Sequence, residues 1–336
     1  MFRRSKILSY TIVFLCCMPS VVSAQESFRV LFYNVENLFD CKNDSLKDDE
    51  EFLPEATRHW TFSRYREKLQ HIAKAIIASG DDGRVPALVG LCEVENDSCL
   101  TDLVRRSPLR EADYRYVMTD SPDRRGIDVA LLYQRGSFKL LQHRSVRVPS
   151  EQVHRPPTRD ILHAVGKVLS GDTLDVFVCH LPSRSGGSAQ SERHRLLAAR
   201  TLRQAADSVM RLRQQPHLIL MGDFNDYPTS RSLKKVLCAD STLYNMMQHL
   251  KGGTYRYRAH WGIFDQIIVS ADMLSGKGGI RTSPAKVQIL RHPFLLEEDD
   301  KQGGDKPFRT YYGMKYNGGF SDHLPVCLDL EVLCPM

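Results

Sequence analysis

The sequence has no repeat, no Gly/Ser linker and no low-complexity tract, and its apolar run near the N-terminus is too short to span a bilayer comfortably. Nothing therefore divides the chain into tethered modules, and one large domain is expected over residues 25–336. Cysteine is present but forms no framework. After residue 24 come Cys41, Cys92, Cys99, Cys179, Cys238, Cys327 and Cys334, an odd number at scattered spacing. Cys92, Cys179 and Cys327 lie in apolar runs and read as small buried hydrophobes, while pairing of Cys92 with Cys99, or of Cys327 with Cys334, stays open. A dominant charge is lacking too. The formal net charge is +6, falling to +3 without Arg3, Arg4 and Lys6, so bulk charge does not mark a strong polyanion binder.

What is present begins with a basic Arg3-Arg4-Ser5-Lys6, a largely apolar stretch over 7–18 and a small-residue end at Val22-Ser23-Ala24. This pattern predicts a signal peptide over residues 1–24, cleaved after Ala24, and export to the periplasm or the extracellular space. A lipid anchor at Cys16 or Cys17 is the weaker reading, because neither follows a fitting small residue. A monomer without a stable membrane span is expected.

Short apolar, β-branched runs recur at 28–33, 86–92, 127–133, 161–169, 174–179, 217–221, 266–270, 286–290 and 325–332. Several are apolar on both faces, as strands between layers are. Helical stripes appear at Tyr65, Leu69, Ile72, Ile76 and at Ala198, Leu202, Ala205, Val209, Leu212, and Ser230 is placed to cap a shorter helix. Adjacent runs at 127–133 and 138–148, and at 161–169 and 174–179, predict antiparallel hairpins. Two mixed sheets packed face to face, with helices outside, suit this better than a doubly wound parallel sheet.

Chemistry-bearing residues end these strands. They are Asn34 in Tyr33-Asn34-Val35-Glu36-Asn37, Glu93 after Leu91-Cys92, His180 after Val178-Cys179, and Asp223 and Asn225 in Gly222-Asp223-Phe224-Asn225-Asp226. Asp265 opens Asp265-Gln266-Ile267-Ile268, and Asp322-His323 stands in Ser321-Asp322-His323-Leu324-Pro325. Polar groups at successive strand ends can converge on one rim. Carboxylates suit a hard cation, an amide suits an oxyanion and an imidazole suits proton work.

This ordered set, from Asn34 to His323, resembles the endonuclease/exonuclease/phosphatase superfamily, whose members include deoxyribonucleases, abasic-site endonucleases, inositol-polyphosphate phosphatases and sphingomyelinases. The resemblance implies a four-layered α/β sandwich of two mixed, largely antiparallel β-sheets flanked by helices, and a Mg²⁺ cofactor, or Mn²⁺ or Ca²⁺. It implies metal-site roles for Asn34, Glu93 and Asp322, and catalytic roles for His180, Asp223, Asn225, Asp265 and His323. Asp223 matches the residue that orients or deprotonates water, Asn225 a phosphate contact, and Asp265 the support of His323. His180, where abasic-site enzymes carry Tyr, fits a general acid or a phosphate contact. Arg184 in Ser183-Arg184-Ser185-Gly186-Gly187 is a candidate substrate residue.

The expected partner is nucleic acid or another phosphodiester. A sphingomyelinase-type lipid phosphodiesterase would want an exposed apolar hairpin, for which 293–296 is a poor candidate. A small-metabolite phosphatase shares the chemistry. A non-catalytic binding module would have lost a site residue, and none is missing. Trp60, Arg309, Tyr311, Tyr312 and Tyr316, in or beside the polar insertions over 41–60 and 292–319, are read either as ring-stacking groups or as packing.

Overall fold

A computed structural model describes residues 25–333, so the segment expected to be a signal peptide, and Cys334, lie outside the described residues. The predicted apolar runs form the strands of two sheets. The first holds β1 (Gln25–Leu38), β2 (Leu88–Val94), β3 (Arg115–Met118), β4 (Asp128–Tyr133), β13 (Ile280–Arg281), β14 (Val287–Ile289) and β19 (Val326–Leu333). Its order is β13-β19-β1-β2-β4-β3, with β14 also on β19. The second holds β5 (Lys139–Val146), β6 (Ile161–Lys167), β7 (Thr173–His180), β8 (His217–Asp223), β9 (Leu243–Asn245) and β12 (Asp265–Ser270), in the order β5-β6-β7-β8-β12-β9. The pairs β1–β2 and β7–β8 are parallel and the other pairings are antiparallel.

The sheets meet face to face across Val30, Phe32, Leu88, Val129 and Leu131 on one side and Ala164, Val176, Val178, Ile219 and Met221 on the other. All ten are fully buried, and each large apolar side chain contributes about 1.5–3 kcal/mol of burial. The contact is close. A Cβ at Gly90 would stand 2.7 Å from the Met221 Cε.

On the outer face of the first sheet lie α1 (Phe62–Ala78) and α2 (Asp97–Arg106), and on that of the second lies α3 (Ser188–Leu212). The four-layered α/β sandwich is therefore built as its strand pattern predicts. Helix α1 presents Tyr65, Leu69, Ile72 and Ile76 inward, with Thr61 capping its first turn. Helix α2 went unpredicted, although Asn96 caps it and Leu100, Leu103 and Val104 form its buried stripe.

Two local expectations are corrected. The 161–169 and 174–179 runs do form a hairpin, but β4 and β5 do not, because they belong to different sheets. The connection carries Phe138, which packs in the core between the sheets and whose ring fills the space a side chain at Gly166 would occupy. Ser230 does not cap a helix either. Its Oγ accepts the Tyr227 N–H, and the turn over Ser232–Leu237 starts without a side-chain cap.

The insertions fold back on the first sheet. Trp60 is fully buried, its indole donating to the Phe39 carbonyl at 2.9 Å, and packs on Tyr311, so both serve packing. Short ribbons complete the rim: β10 (Tyr255–Tyr257) with β11 (His260–Gly262), β15 (Leu296–Glu298) with β16 (Asp305–Pro307), and β17 (Tyr311–Tyr312) with β18 (Lys315–Tyr316). Cys41, Cys92, Cys99, Cys179, Cys238 and Cys327 are free thiols, so Cys92 and Cys99 do not pair.

Candidate active site

The register of the second sheet builds half of the site. His180 at the end of β7 is opposite Asp223 at the end of β8, and Asp223 is opposite Asp265 at the start of β12. Paired residues on neighbouring strands project to the same face, so one rung carries an imidazole and two carboxylates. The first sheet supplies the rest. Asn34 is paired with Cys92, and Glu93 follows where the β2–β4 register shifts. A bulge of this kind re-aims a side chain. Glu36, Asn37, Glu93 and Asn225 all have positive φ, between 50° and 63°, so left-handed backbone is concentrated at the site.

Asn34 joins the halves. Its Nδ2 donates to Glu93 Oε1 at 3.3 Å and to Asp223 Oδ2 at 3.1 Å, and its Oδ1 accepts the Glu36 N–H at 3.0 Å. Glu93 Oε2 accepts the Asn37 N–H at 3.0 Å. Ser321 Oγ donates to the Asn34 carbonyl at 2.7 Å and accepts the His323 N–H at 3.1 Å, which ties the turn before β19 to β1.

The two histidines differ in charge. His323 Nδ1 lies 2.8 Å from Asp265 Oδ2, and its Nε2 is 3.8 Å from Asp223 Oδ2. Burial opposes charge on this ring, but the Asp265 and Asp223 carboxylates outweigh it and raise its pKa well above the ordinary histidine range. His180 Nε2 is 3.6 Å from Asp223 Oδ2 and 3.9 Å from Glu93 Oε1, while its buried Nδ1 has no hydrogen-bond partner. Burial, with Arg159, Arg125 and His323 nearby, pushes its pKa well down and leaves it a neutral imidazole. Burial also pushes the Asp223 carboxyl up to about 7, against the pull of His323. Asn225 donates its N–H to Asp223 Oδ1 at 2.8 Å and its side-chain amide to the Leu181 carbonyl at 3.1 Å.

Asp322, expected beside the metal, is held by an arginine. Arg309 Nη2 lies 3.1 Å from Asp322 Oδ2 and 3.0 Å from Glu36 Oε1, and Glu36 Oε2 accepts the Thr310 N–H at 2.6 Å. Behind them the buried Lys68 ammonium donates to Thr310 Oγ1 at 2.5 Å and to the Phe320 carbonyl at 2.6 Å. Burial lowers the Lys68 pKa to about 8. Arg184 makes no part of the carboxylate cluster. Its guanidinium stands over Tyr227 and Phe264, at 4.9 and 5.5 Å. Phe264 stacks on Tyr255, whose ring is 4.9 Å from that of His323. Asp128 accepts from Thr119 and Ser121, and Arg159 pairs with Asp123.

Sequence reasoning thus missed Glu36, Lys68, Tyr255, Thr310 and Ser321 as site supports. Glu36 and Ser321 carried a local signal, Glu36 standing two residues from Asn34 on the same strand and Ser321 directly before Asp322-His323.

A hard cation needs oxygen donors. Among the described residues Asp223, Asp265 and His323 bring one ligand atom each within 4.8 Å of one another. A doubly protonated His323 has no lone pair to give. The oxygen donor open to a cation is Glu93, 14% exposed at its side chain and fixed by the Asn34 amide. The residues present therefore suit a divalent cation bound chiefly by oxygen.

The sequence profile of the Endonuclease/Exonuclease/phosphatase family matches residues 29–332. No curated protein matches the sequence. Among solved structures, a Bacteroides thetaiotaomicron mannosyl-6-phosphatase is similar at 15% identity and a TM-score of 0.57, over 90% of this chain and 99% of that one. The catalytic domain of human Nocturnin with a bound sulfate anion is similar at 20% identity and a TM-score of 0.56, over 92% and 96%. D. rerio TDP2 complexed with a single-strand DNA product is similar at 13% identity and a TM-score of 0.55, over 90% and 98%.

Proposed function

The chain belongs to the endonuclease/exonuclease/phosphatase family of metal-dependent phosphoric ester hydrolases, and from that premise we propose that it is an exported phosphodiesterase acting on nucleic acid. The observation that carries the substrate class is the row of rings from Arg184 through Tyr227, Phe264 and Tyr255 to His323. Tyr227 is 40% exposed. An exposed ring beside a cation, leading to the reacting centre, suits a base and its phosphate. D. rerio TDP2, with its single-strand DNA product, offers a precedent on the same fold.

The residues divide the work of hydrolysis. A divalent cation, with Mg²⁺ proposed, would be held by Glu93 and would supply Lewis acidity at the phosphate. Asn34 fixes the Glu93 carboxylate through its amide. Asp223, poised near neutral pH, accepts a proton from the attacking water. His323 presents an imidazolium N–H to a nonbridging oxygen, with Asp265 fixing its ring. His180 and Asn225 each have an N–H to offer a second oxygen. Phosphoryl transfer asks for this kind of positioning and charge neutralisation more than for covalent chemistry.

The test is a metal-supplemented screen across plasmid DNA, RNA, sphingomyelin, inositol phosphates, a sugar phosphate and bis-p-nitrophenyl phosphate. Hydrolysis of DNA or RNA, lost in chelator and in Glu93→Gln, is expected. A preference for the sugar phosphate, or full activity in chelator, would overturn the reading. Export is proposed from the basic and apolar pattern of residues 1–24. N-terminal sequencing of the protein from the extracellular or periplasmic fraction should begin at Gln25.

A further inference from the structure

Beside His323 and beyond Tyr255 lies an open cavity of about 540 Å³, lined by the β10–β11 ribbon and the folded insertion. Six cationic side chains and two carboxylates line it. This is a concentration of charge that the chain's mild overall balance conceals. The carboxylates are already engaged: Asp299 pairs with Arg256 at 2.9 Å and with Lys306 at 3.9 Å, and Asp322 with Arg309. Arg258, Lys301 and Lys315 remain, without a carboxylate partner among the described residues.

Two details describe the walls that carry this charge. Arg258 sits at the tip of the ribbon with φ +53°, a left-handed conformation that a glycine would adopt freely and that costs an arginine about 1 kcal/mol. The ribbon register, Tyr257 against His260, holds it there. Its guanidinium stands 5.3 Å over the Tyr257 ring, which is 61% exposed. On the opposite wall Tyr312 is 38% exposed beneath Lys306. Cations over exposed rings form a surface suited to a group that is both planar and anionic.

We propose that this cavity is a second phosphate subsite, taking the nucleotide that flanks the scissile bond, with its phosphate on Arg258, Lys301 and Lys315 and its ring against Tyr257. The assignment rests on the nucleic-acid reading of the active site. It adds that the enzyme recognises a second phosphate, so a substrate bearing one is preferred to one that does not.

The experiment compares a thymidine dinucleotide with and without a terminal phosphate, and bis-p-nitrophenyl phosphate, for the wild type and the Arg258→Ala/Lys315→Ala variant. Thermal unfolding checks that the variant is folded. Wild-type KM should be lower for the phosphorylated dinucleotide. The variant should raise that KM at least about tenfold more than it raises KM for bis-p-nitrophenyl phosphate, the scale of one or two lost charge-assisted contacts. The salt dependence of KM should flatten, with a log–log slope smaller by about one to two. Equal effects on all substrates, or none on the phosphorylated dinucleotide, would overturn the subsite while leaving the nucleic-acid reading intact. A wild-type protein that hydrolyses bis-p-nitrophenyl phosphate but neither dinucleotide nor longer nucleic acid would overturn that reading instead.

Discussion

His323 is held by Asp265 through one ring nitrogen, at 2.8 Å, and this bond decides what the other nitrogen offers. With Nδ1 donating to the carboxylate, Nε2 of the charged ring also carries a proton and points toward Asp223. The pair acts as a unit. His323→Ala should lower turnover by orders of magnitude, and adding Asp265→Asn should cost little more, because coupled groups are non-additive. Losses that multiply in full would show that Asp265 acts elsewhere. Single-turnover rates for both variants and the double variant give the answer.

His180 is a neutral hydrogen-bond donor in this site, since burial disfavours its charged form. It therefore has no easily lost proton for a leaving oxygen, and the phosphate-contact role fits it better than the general-acid role. His180→Ala should lower turnover on bis-p-nitrophenyl phosphate and on a dinucleotide by similar factors. A much larger loss on the dinucleotide, whose leaving group is poorer, would restore the general acid.

The pH profile follows from Asp223 and His323. Asp223 works as a base only when deprotonated, and burial raises its pKa to about 7, so activity should fall as pH drops through that value. A bound cation next to it moves this limb to lower pH. His323 works when protonated, and its raised pKa places its limb well above the ordinary histidine range, so activity should hold through neutral pH and decline only in alkali. An acid limb that ignores Asp223→Asn would exclude it as the base.

Arg309 holds together the buried Glu36 and Asp322, which is one-fifth exposed. Arg309→Met should lower stability by about 3 kcal/mol, the usual cost of leaving a buried charge uncompensated. Because burial already raises the Glu36 pKa, the variant should regain stability as pH falls and Glu36 takes up a proton. Equilibrium urea unfolding across pH 5 to about 8 measures both effects. Unchanged stability would mean that Lys68 alone compensates the pair.

The parts of this architecture that could be read from sequence share one property: each announces itself within a few residues. An apolar run that stops at Asn34, Glu93, His180 or Asp223 marks a strand and its chemical end together. The β4–β5 connection misled because short separation suggests a hairpin, whereas the two strands pair in different sheets and Phe138 between them packs in the core that joins those sheets. The Glu36–Arg309 pair spans 273 residues, and nothing local links one partner to the other. Likewise nothing near Arg184 foretold its place over Tyr227 and Phe264, since those rings arrive from different segments.

The active site is assembled across a seam. His180, Asp223 and Asp265 ride on one sheet, Asn34 and Glu93 on the other, and Met221 against Gly90 is among the contacts that set how near the two can come. The dry interior thus serves as a gauge block for the wet rim. Met221→Ala would thin that block, and Gly90→Ala would thicken it by a methyl group, without touching any polar residue. Both should shift the Asn34 bridge between Glu93 and Asp223, so that turnover responds to volume at positions where no substrate atom ever arrives.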